Sequence, residues 1–452
     1  MSRLMTRLRK PVSRQKGIAL IVVAVTIAVM GGVMTDFSYN ARVDLEAAAN
    51  GRDQLRAEYL ARSGIQLSRL LIKVQQSVLD KNRQFVGDIQ IAEFAPYLIK
   101  AFGGEADERA GLGALLGIDT TQMKGMGVGK GATFDLVMTS DDGRLNINCG
   151  GGLNDTTHQQ QLYAILSALF WPPRYSTPPG PGRVFDAQDS EGQIPTRDDV
   201  ARAIIDWADV DEMQFVPPAT STGGSTSGGG SETYNYDAGR DPYKAHNYFY
   251  DTVEEVNLVR GVGDEFWGSF GEMFTVYGGC KVNVGAIQPE HWPLMAAILR
   301  ATVKDDHRTD PVLLDDVLLA GLAQQVMALS KMTGGFSSTQ QFIQMISDPA
   351  AALTNMASGS GATGSTPPPP STSSQNSGVA GIPLDPAKVA NVITVGPRRI
   401  YRLDATGTIQ RTREKKIQVH VRAIWDSAHF NQNTTSGDMN DRQGTWVYWR
   451  ED

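Results

Sequence analysis

The sequence predicts an α+β protein, with one long N-terminal helix packed on an antiparallel sheet and a large α-helical domain inserted into that sheet. Three observations carry this prediction. An apolar run near the N-terminus passes without a turn signal into an amphipathic helical stretch. Strand-like sequence occurs on both sides of a long helical excursion, and two alternating stretches close the chain. At 452 residues there is length for two or three domains, each with a core of its own.

The first element is the helix. Residues 1–17 carry Arg3, Arg7, Arg9, Lys10, Arg14 and Lys16 and no acid, the pattern of a cytoplasmic flank, so the head is expected on the outer side of a membrane. From Ile18 to Met34 every residue is apolar, Gly or Thr26. At about 1.5 Å per residue the run spans roughly 26 Å, enough to cross a bilayer core. Three readings compete. A secretory signal needs a small-residue cleavage site after the run, and Met34-Thr35-Asp36-Phe37-Ser38 is a poor one. A plain anchor explains charge and length, but not why Lys16-Gly17-Ile18-Ala19-Leu20 abuts the run without a spacer. The third reading is a leader cut before an apolar helix that is retained.

The residues downstream of the apolar run support the third reading. Leu45, Ala48, Ala49, Leu55, Tyr59 and Leu60 recur near helical spacing, and Leu67, Leu70, Leu71 and Val74 extend the stripe. Arg52, Arg56, Glu58 and Arg62 fill polar positions. The spacing predicts one helix over 18–76, half of it in lipid; an anchor joined to an unrelated surface helix is the plain alternative.

Residues 77–155 read as the first part of the sheet domain. Phe134-Asp135-Leu136-Val137-Met138 and Arg144-Leu145-Asn146-Ile147-Asn148 flank Asp141-Asp142-Gly143, which predicts a hairpin. Lys281-Val282-Asn283-Val284 has a matching pattern and is expected in the same sheet. Between them, 156–275 reads as the inserted helical domain, containing an N-capped helix from Asp198 to Trp207 and a Gly/Ser/Thr stretch over 217–232. Residues 276–452 read as the rest of the sheet domain, with helices near 292–303 and 311–330 and a Pro/Ser tract over 358–378. Ile417, Val419, Val421 and Ala423 alternate with polar residues, and Trp446-Val447-Tyr448-Trp449 comes after a polar stretch, predicting two antiparallel strands.

Candidate chemistry is sparse. Asp206, Asp209, Asp211 and Glu212 crowd a helix end, where their charges repel. Calcium answers such crowding, because it takes six to eight oxygens in flexible geometry; a solvated acidic loop is the plainer reading, and the spacing is not that of an EF-hand. Asp237 and Asp241 are weaker members of the same candidate set. Cys149 and Cys280 are the two cysteines. Neither has a partner at zinc spacing, and in an exported head they are candidates for a disulfide or else two small buried residues. The six histidines are scattered, and neither a Gly-x-Ser-x-Gly elbow nor a phosphate loop after a strand occurs, so no enzyme is expected. The net charge of -7 argues against nucleic acid. Thr252 to Asp264 has the shape of half a helix-hairpin-helix, but Glu254, Glu255, Asp264 and Glu265 would repel phosphate.

Arg14-Gln15-Lys16-Gly17-Ile18-Ala19-Leu20-Ile21-Val22 resembles a class III prepilin leader. Ala47-Ala48-Ala49-Asn50 and Tyr59-Leu60-Ala61-Arg62-Ser63-Gly64 resemble the K-type minor pseudopilins of type II secretion, the general secretion pathway protein K family. The resemblance implies a pilin-like fold with an inserted α-helical domain, and cleavage between Gly17 and Ile18 by a prepilin peptidase with methylation of Ile18. It implies a single-pass inner-membrane subunit with a periplasmic head, at a pseudopilus tip with minor pseudopilins I and J, above H and the major pseudopilin. It also implies calcium in the inserted domain. This sequence departs from the family where a long Gly/Ser insertion precedes Asp237 and Asp241. Most pilins carry Glu as the fifth mature residue, to neutralise the amine of the subunit above; here that residue is Val22, which favours the top position. The competing readings are a type IV pilus minor pilin and a membrane-tethered DNA-uptake protein.

Overall fold

A computed structural model describes residues 16–82, 89–103, 131–152, 156–175, 184–185, 194–217, 230–232, 236, 242–332, 335–348, 381–411, 416–427 and 444–452. The fold begins with helix α1, Lys16–Val74, which runs 59 residues and ends in a π-turn, Gln75–Leu79. Its first half, from Gly17 through Leu45, is exposed along every face. Its second half is not. Ala57, Ala61, Ile65, Ser68 and Ile72 are buried at helical spacing, and they face a sheet. Helix α2, Ile91–Gly103, lies beside the same sheet through Ala92 and Ala95.

The sheet has four antiparallel strands in the order β1 (Ala132–Ser140), β2 (Ile400–Gln410), β3 (Lys416–Asp426) and β4 (Thr445–Glu451). Alternation sets its faces: Phe134, Leu136, Met138, Tyr401, Leu403, Ala405, Val421, Ala423 and Trp425 point at α1. Small residues let helix and sheet meet closely. A side-chain carbon on Gly407 would overlap the Ala57 carbonyl oxygen. At the far end of the contact, buried Asp53 forms an ion pair with Arg411 Nε at 2.5 Å. This is the α+β arrangement expected, a long N-terminal helix on an antiparallel sheet, and β3 with β4 is the closing strand pair.

The predicted hairpin is not formed. β1 pairs instead with β2, from Ala132 opposite Ile409 to Ser140 opposite Tyr401, so the whole helical body intervenes in sequence between the two strands. Asp141–Gly143 is a single 3-10 turn, after which Leu145–Asn146 forms a two-residue parallel ladder with Phe274–Thr275. Distant partners decide this. Asp141 accepts two bonds from Arg402, both 3.1 Å, and one from Thr275 at 2.9 Å. Asp142 Oδ2 accepts the backbone N–H groups of Arg399 and Ile400 at 2.6 and 2.8 Å. Val282–Asn283 does not return to the sheet either; it pairs with Ile393–Thr394.

The inserted body is therefore larger than 156–275. One continuous core runs from Leu145 to Ile393, so the helices after residue 276 belong to it and not to the sheet domain. Among the described residues its longer helices are α3 (Thr156–Phe170), α4 (Arg197–Asp206), α5 (Asp264–Phe270), α6 (Trp292–Thr302), α7 (Asp316–Met332), α8 (Thr339–Ser347) and α9 (Pro386–Val392), with a single turn at Pro311–Leu314 before α7. α3 lies against α4 and α6, and α7 against α6. Phe170, Phe185, Phe266 and Phe270 pack ring to ring at 5.0 to 6.0 Å in its centre. Cys149 and Cys280 are bonded, with Cα atoms 5.5 Å apart, tying the first turn of the body to the loop after Phe274–Thr275.

Candidate functional site: a buried carboxylate cluster

Helix α4 is built to end where it does. Thr196 and Asp199 form a capping box at its start, and Asp198 and Asp199 complement the positive end of its dipole. Val200, Ala201, Ile204 and Ile205 bury one face in the body, which carries Asp206 into the same interior. The chain then turns tightly, with the amides of Ala208 and Asp209 bonding back to the Ile205 carbonyl. A short bridge between Asp209 and Gly152 fixes the turn.

A third carboxylate arrives from across the Gly/Ser stretch. Met213 and Ser231 form an antiparallel bridge, and Glu232 donates its amide to the Glu212 carbonyl at 3.2 Å. This swings the Glu232 side chain inward. Oxygens of Asp206, Asp209 and Glu232 all lie within 4.8 Å of one another, and the three residues are only 3%, 3% and 1% exposed.

The cluster is short of partners. Asp206 Oδ1 accepts the Phe215 amide at 2.7 Å, and Asp209 Oδ2 accepts Gln159 Nε2 at 3.3 Å. Asp209 Oδ1 and both oxygens of Glu232 have no hydrogen-bond donor. Burial, then Coulomb repulsion among neighbours, pushes Asp209 up to about 8 and Glu232 up to about 9; burial raises Asp206 to about 7. Three buried carboxyls so placed either hold protons at neutral pH or share a cation. Hard oxygen donors with orphaned lone pairs fit a divalent cation of calcium's type, with Asp206, Asp209 and Glu232 as its holders. A ring of Trp207, Tyr236 and Tyr250 backs the cluster, with Trp207 5.5 Å from Tyr236 and 6.5 Å from Tyr250. Burial raises the hydroxyls of both tyrosines above their ordinary value.

Of the residues predicted from sequence, the structure brings together Asp206 and Asp209. Asp211 is exposed and spends Oδ1 on the Met213 amide at 2.8 Å, although its charge raises all three neighbours. Glu212 is exposed and contributes its carbonyl, not its carboxylate, to the bridge. Asp237 and Asp241 lie outside the described residues. Glu232 escapes a reading of the sequence because it stands alone after a low-complexity stretch; its one signal is that it is the first acid beyond that stretch.

The other sequence features sit elsewhere. Gly17, Ile18 and Val22 lie in α1, exposed, and Ile18 to Met34 form the membrane-length apolar stretch. Residues 1–15 lie outside the described ones. The Thr252 to Asp264 segment is a 3-10 helix, Val253–Leu258, then Gly261 at φ +80° and then α5. Val253, Val256 and Val259 are buried, and a side-chain carbon on Gly261 would meet Val200 at 2.7 Å, so this turn serves packing.

No family model matches the chain, and no curated protein matches it. Among solved structures it is similar to a chain in the crystal structure of the GspK-GspI-GspJ complex from the enterotoxigenic Escherichia coli type 2 secretion system. That similarity has 12% sequence identity and a TM-score of 0.39, over 71% of this chain and 80% of that chain.

Proposed function

We propose that this chain is a minor pseudopilin that caps the tip of a type II secretion pseudopilus, where it primes assembly and supports export across the outer membrane. The observation that carries the reading is α1. One helix runs unbroken from Lys16 through the predicted mature start at Ile18, leaves its first half bare and apolar, and holds a four-stranded sheet with its second half. Its bare half needs lipid or neighbouring helices as solvent. The role is one of packing, not of bond-making chemistry: α1 binds partner helices of the I and J type, while the body inserted between β1 and β2 adds bulk beyond the sheet. Val22 supports the top position, because it offers no carboxylate to an amine above it. Calcium held by Asp206, Asp209 and Glu232 would have a structural part, fixing the loop after α4 to the segment beyond the Gly/Ser stretch.

Mass spectrometry of the mature chain tests the reading. The expected terminus is a methylated Ile18. A chain that keeps Met1, or one that starts beyond Asp36, overturns it.

A further inference from the structure

The outer edge of the sheet at β4 is bare in a way that specifies a partner. His420 and Asp452 exchange both N–H···O bonds, at 3.0 and 2.9 Å. Bonded pairs alternate along an antiparallel ladder, so Arg450 and Tyr448 also turn their backbone groups toward β3. Trp449 and Glu451 then direct theirs outward, and among the described residues no strand lies beyond β4. Thr445–Glu451 contains no lysine or proline; Arg450, Glu451 and the bulge at Val447 guard this edge against indiscriminate pairing, so only a strand of matching shape and charge fits it. Val447, the extra residue where the β3–β4 register shifts, is 48% exposed and Trp449 37%.

Strand polarity limits what can pair there. α1 meets β2 with Asp53 at Arg411 and Gly64 at Ala405, and it meets β4 with Arg62 at Glu451 and Arg69 over Trp446. Both strands thus run against α1, whereas β1, antiparallel to β2, runs along it. Two copies joined β4 to β4 in antiparallel fashion would point their apolar helices in opposite directions, which one membrane forbids. A subunit whose helix points the same way can pair antiparallel with β4 only through a strand that runs along its own helix, as β1 does here. Charge adds a requirement. On the face away from α1, Arg422 and Arg450 stand directly opposite each other, an unfavourable pair. Arg422 reaches inward to Asp404 at 3.6 Å and Arg450 along its own strand to Asp452 at 2.8 Å, so an acid on the next strand outward would complete the row. In this chain β1 carries such a residue, exposed Asp135, between Phe134 and Leu136 of the buried face.

We infer that β4 is a docking edge for the β1-type strand of a second, different pilin-like subunit, which extends the sheet antiparallel and sets an acidic side chain against Arg450. This rests on the pilin-like reading above. Copies of one chain joined β1 to β4 would repeat into an open array, whereas a tip subunit stands above the others and does not repeat, so the partner is a different subunit.

The test uses the full chain in its own membrane, with a photo-crosslinking residue replacing Val447 and the crosslinked peptide sequenced. The expected partner peptide is an edge strand of another protein that has its own N-terminal apolar helix. Glu451→Pro, which removes an outward N–H, lowers the yield roughly tenfold, whereas Glu451→Gln retains it. Should Glu451→Pro fail to fold, Arg450→Glu decides, since it sets acid against acid and leaves the backbone intact; it too lowers the yield. Crosslinks to a second copy, to an exported protein or to a helix, the absence of a crosslink, or yields insensitive to both variants would overturn the inference. The mature terminus measured in the same sample keeps a failure here distinct from failure of the pseudopilin reading.

Discussion

Asp206, Asp209 and Glu232 hold protons that ordinary carboxyls release near pH 4, with folded values of about 7, 8 and 9. Between those limits the native state binds more protons than the unfolded chain, so stability falls as pH rises from about 4 through about 9. Melting curves in a chelator are expected to show this decline, and saturating calcium, which favours the charged forms, should flatten it; equal slopes in both buffers would count against a metal site. A ligand at a hundredfold excess over its Kd stabilises by about 2.7 kcal/mol, or about 5–10 °C for a body of this size. Glu232→Gln replaces a carboxyl that is protonated near neutral pH without metal by a neutral amide of the same size, so the metal-free melting temperature should hold while most of the calcium response disappears. Calorimetry with and without calcium measures both effects.

At the scale of elements, Gly407 lets the sheet approach α1 where a side chain would collide with the Ala57 carbonyl. Gly407→Ala forces its new carbon into the Ala57 carbonyl, backbone against backbone, and is expected to cost about 2–4 kcal/mol. Chemical denaturation of the head would measure it. The existence of α1 is legible in the sequence, but its buried face is not: Leu45, Leu55, Tyr59 and Leu70 of the stripe read from spacing are exposed, and Ala57, Ala61, Ile65, Ser68 and Ile72 meet the sheet instead. β3 is legible because its alternation persists for many residues. The hairpin reading fails because Asp141-Asp142-Gly143 has turn composition, while the groups that redirect it lie far outside any local window: Thr275 is 134 residues from Asp141, Arg402 is 261 from it, and Arg399 is 257 from Asp142. The extent of the helical body is hidden for the same reason: Val282 and Asn283 are strand-like, yet their two-residue ladder belongs to the body's core. Glu232 shows the corresponding limit at the site, since its partners lie beyond a stretch without periodicity.

For the whole molecule, the head's cores draw nothing from the apolar half of α1; the first buried residue among those described is Asp53. A fragment beginning at Asp44 should therefore be soluble without detergent and melt within about 2 °C of the full chain in micelles, as distant, independent parts do. A large loss of stability would mean that the membrane half supports the head. In sequence, the body leaves the sheet after Ser140 and returns before Ile400, and Ser140 faces Tyr401 at the last rung of the β1–β2 ladder. Tension on the body would thus open that ladder one rung at a time, its weakest direction, whereas compression loads all rungs together. Asp141 on Arg402 and Asp142 on the amides of Arg399 and Ile400 form a latch at the first rung to open. A body joined in this way resists load directed into the sheet better than load directed away from it.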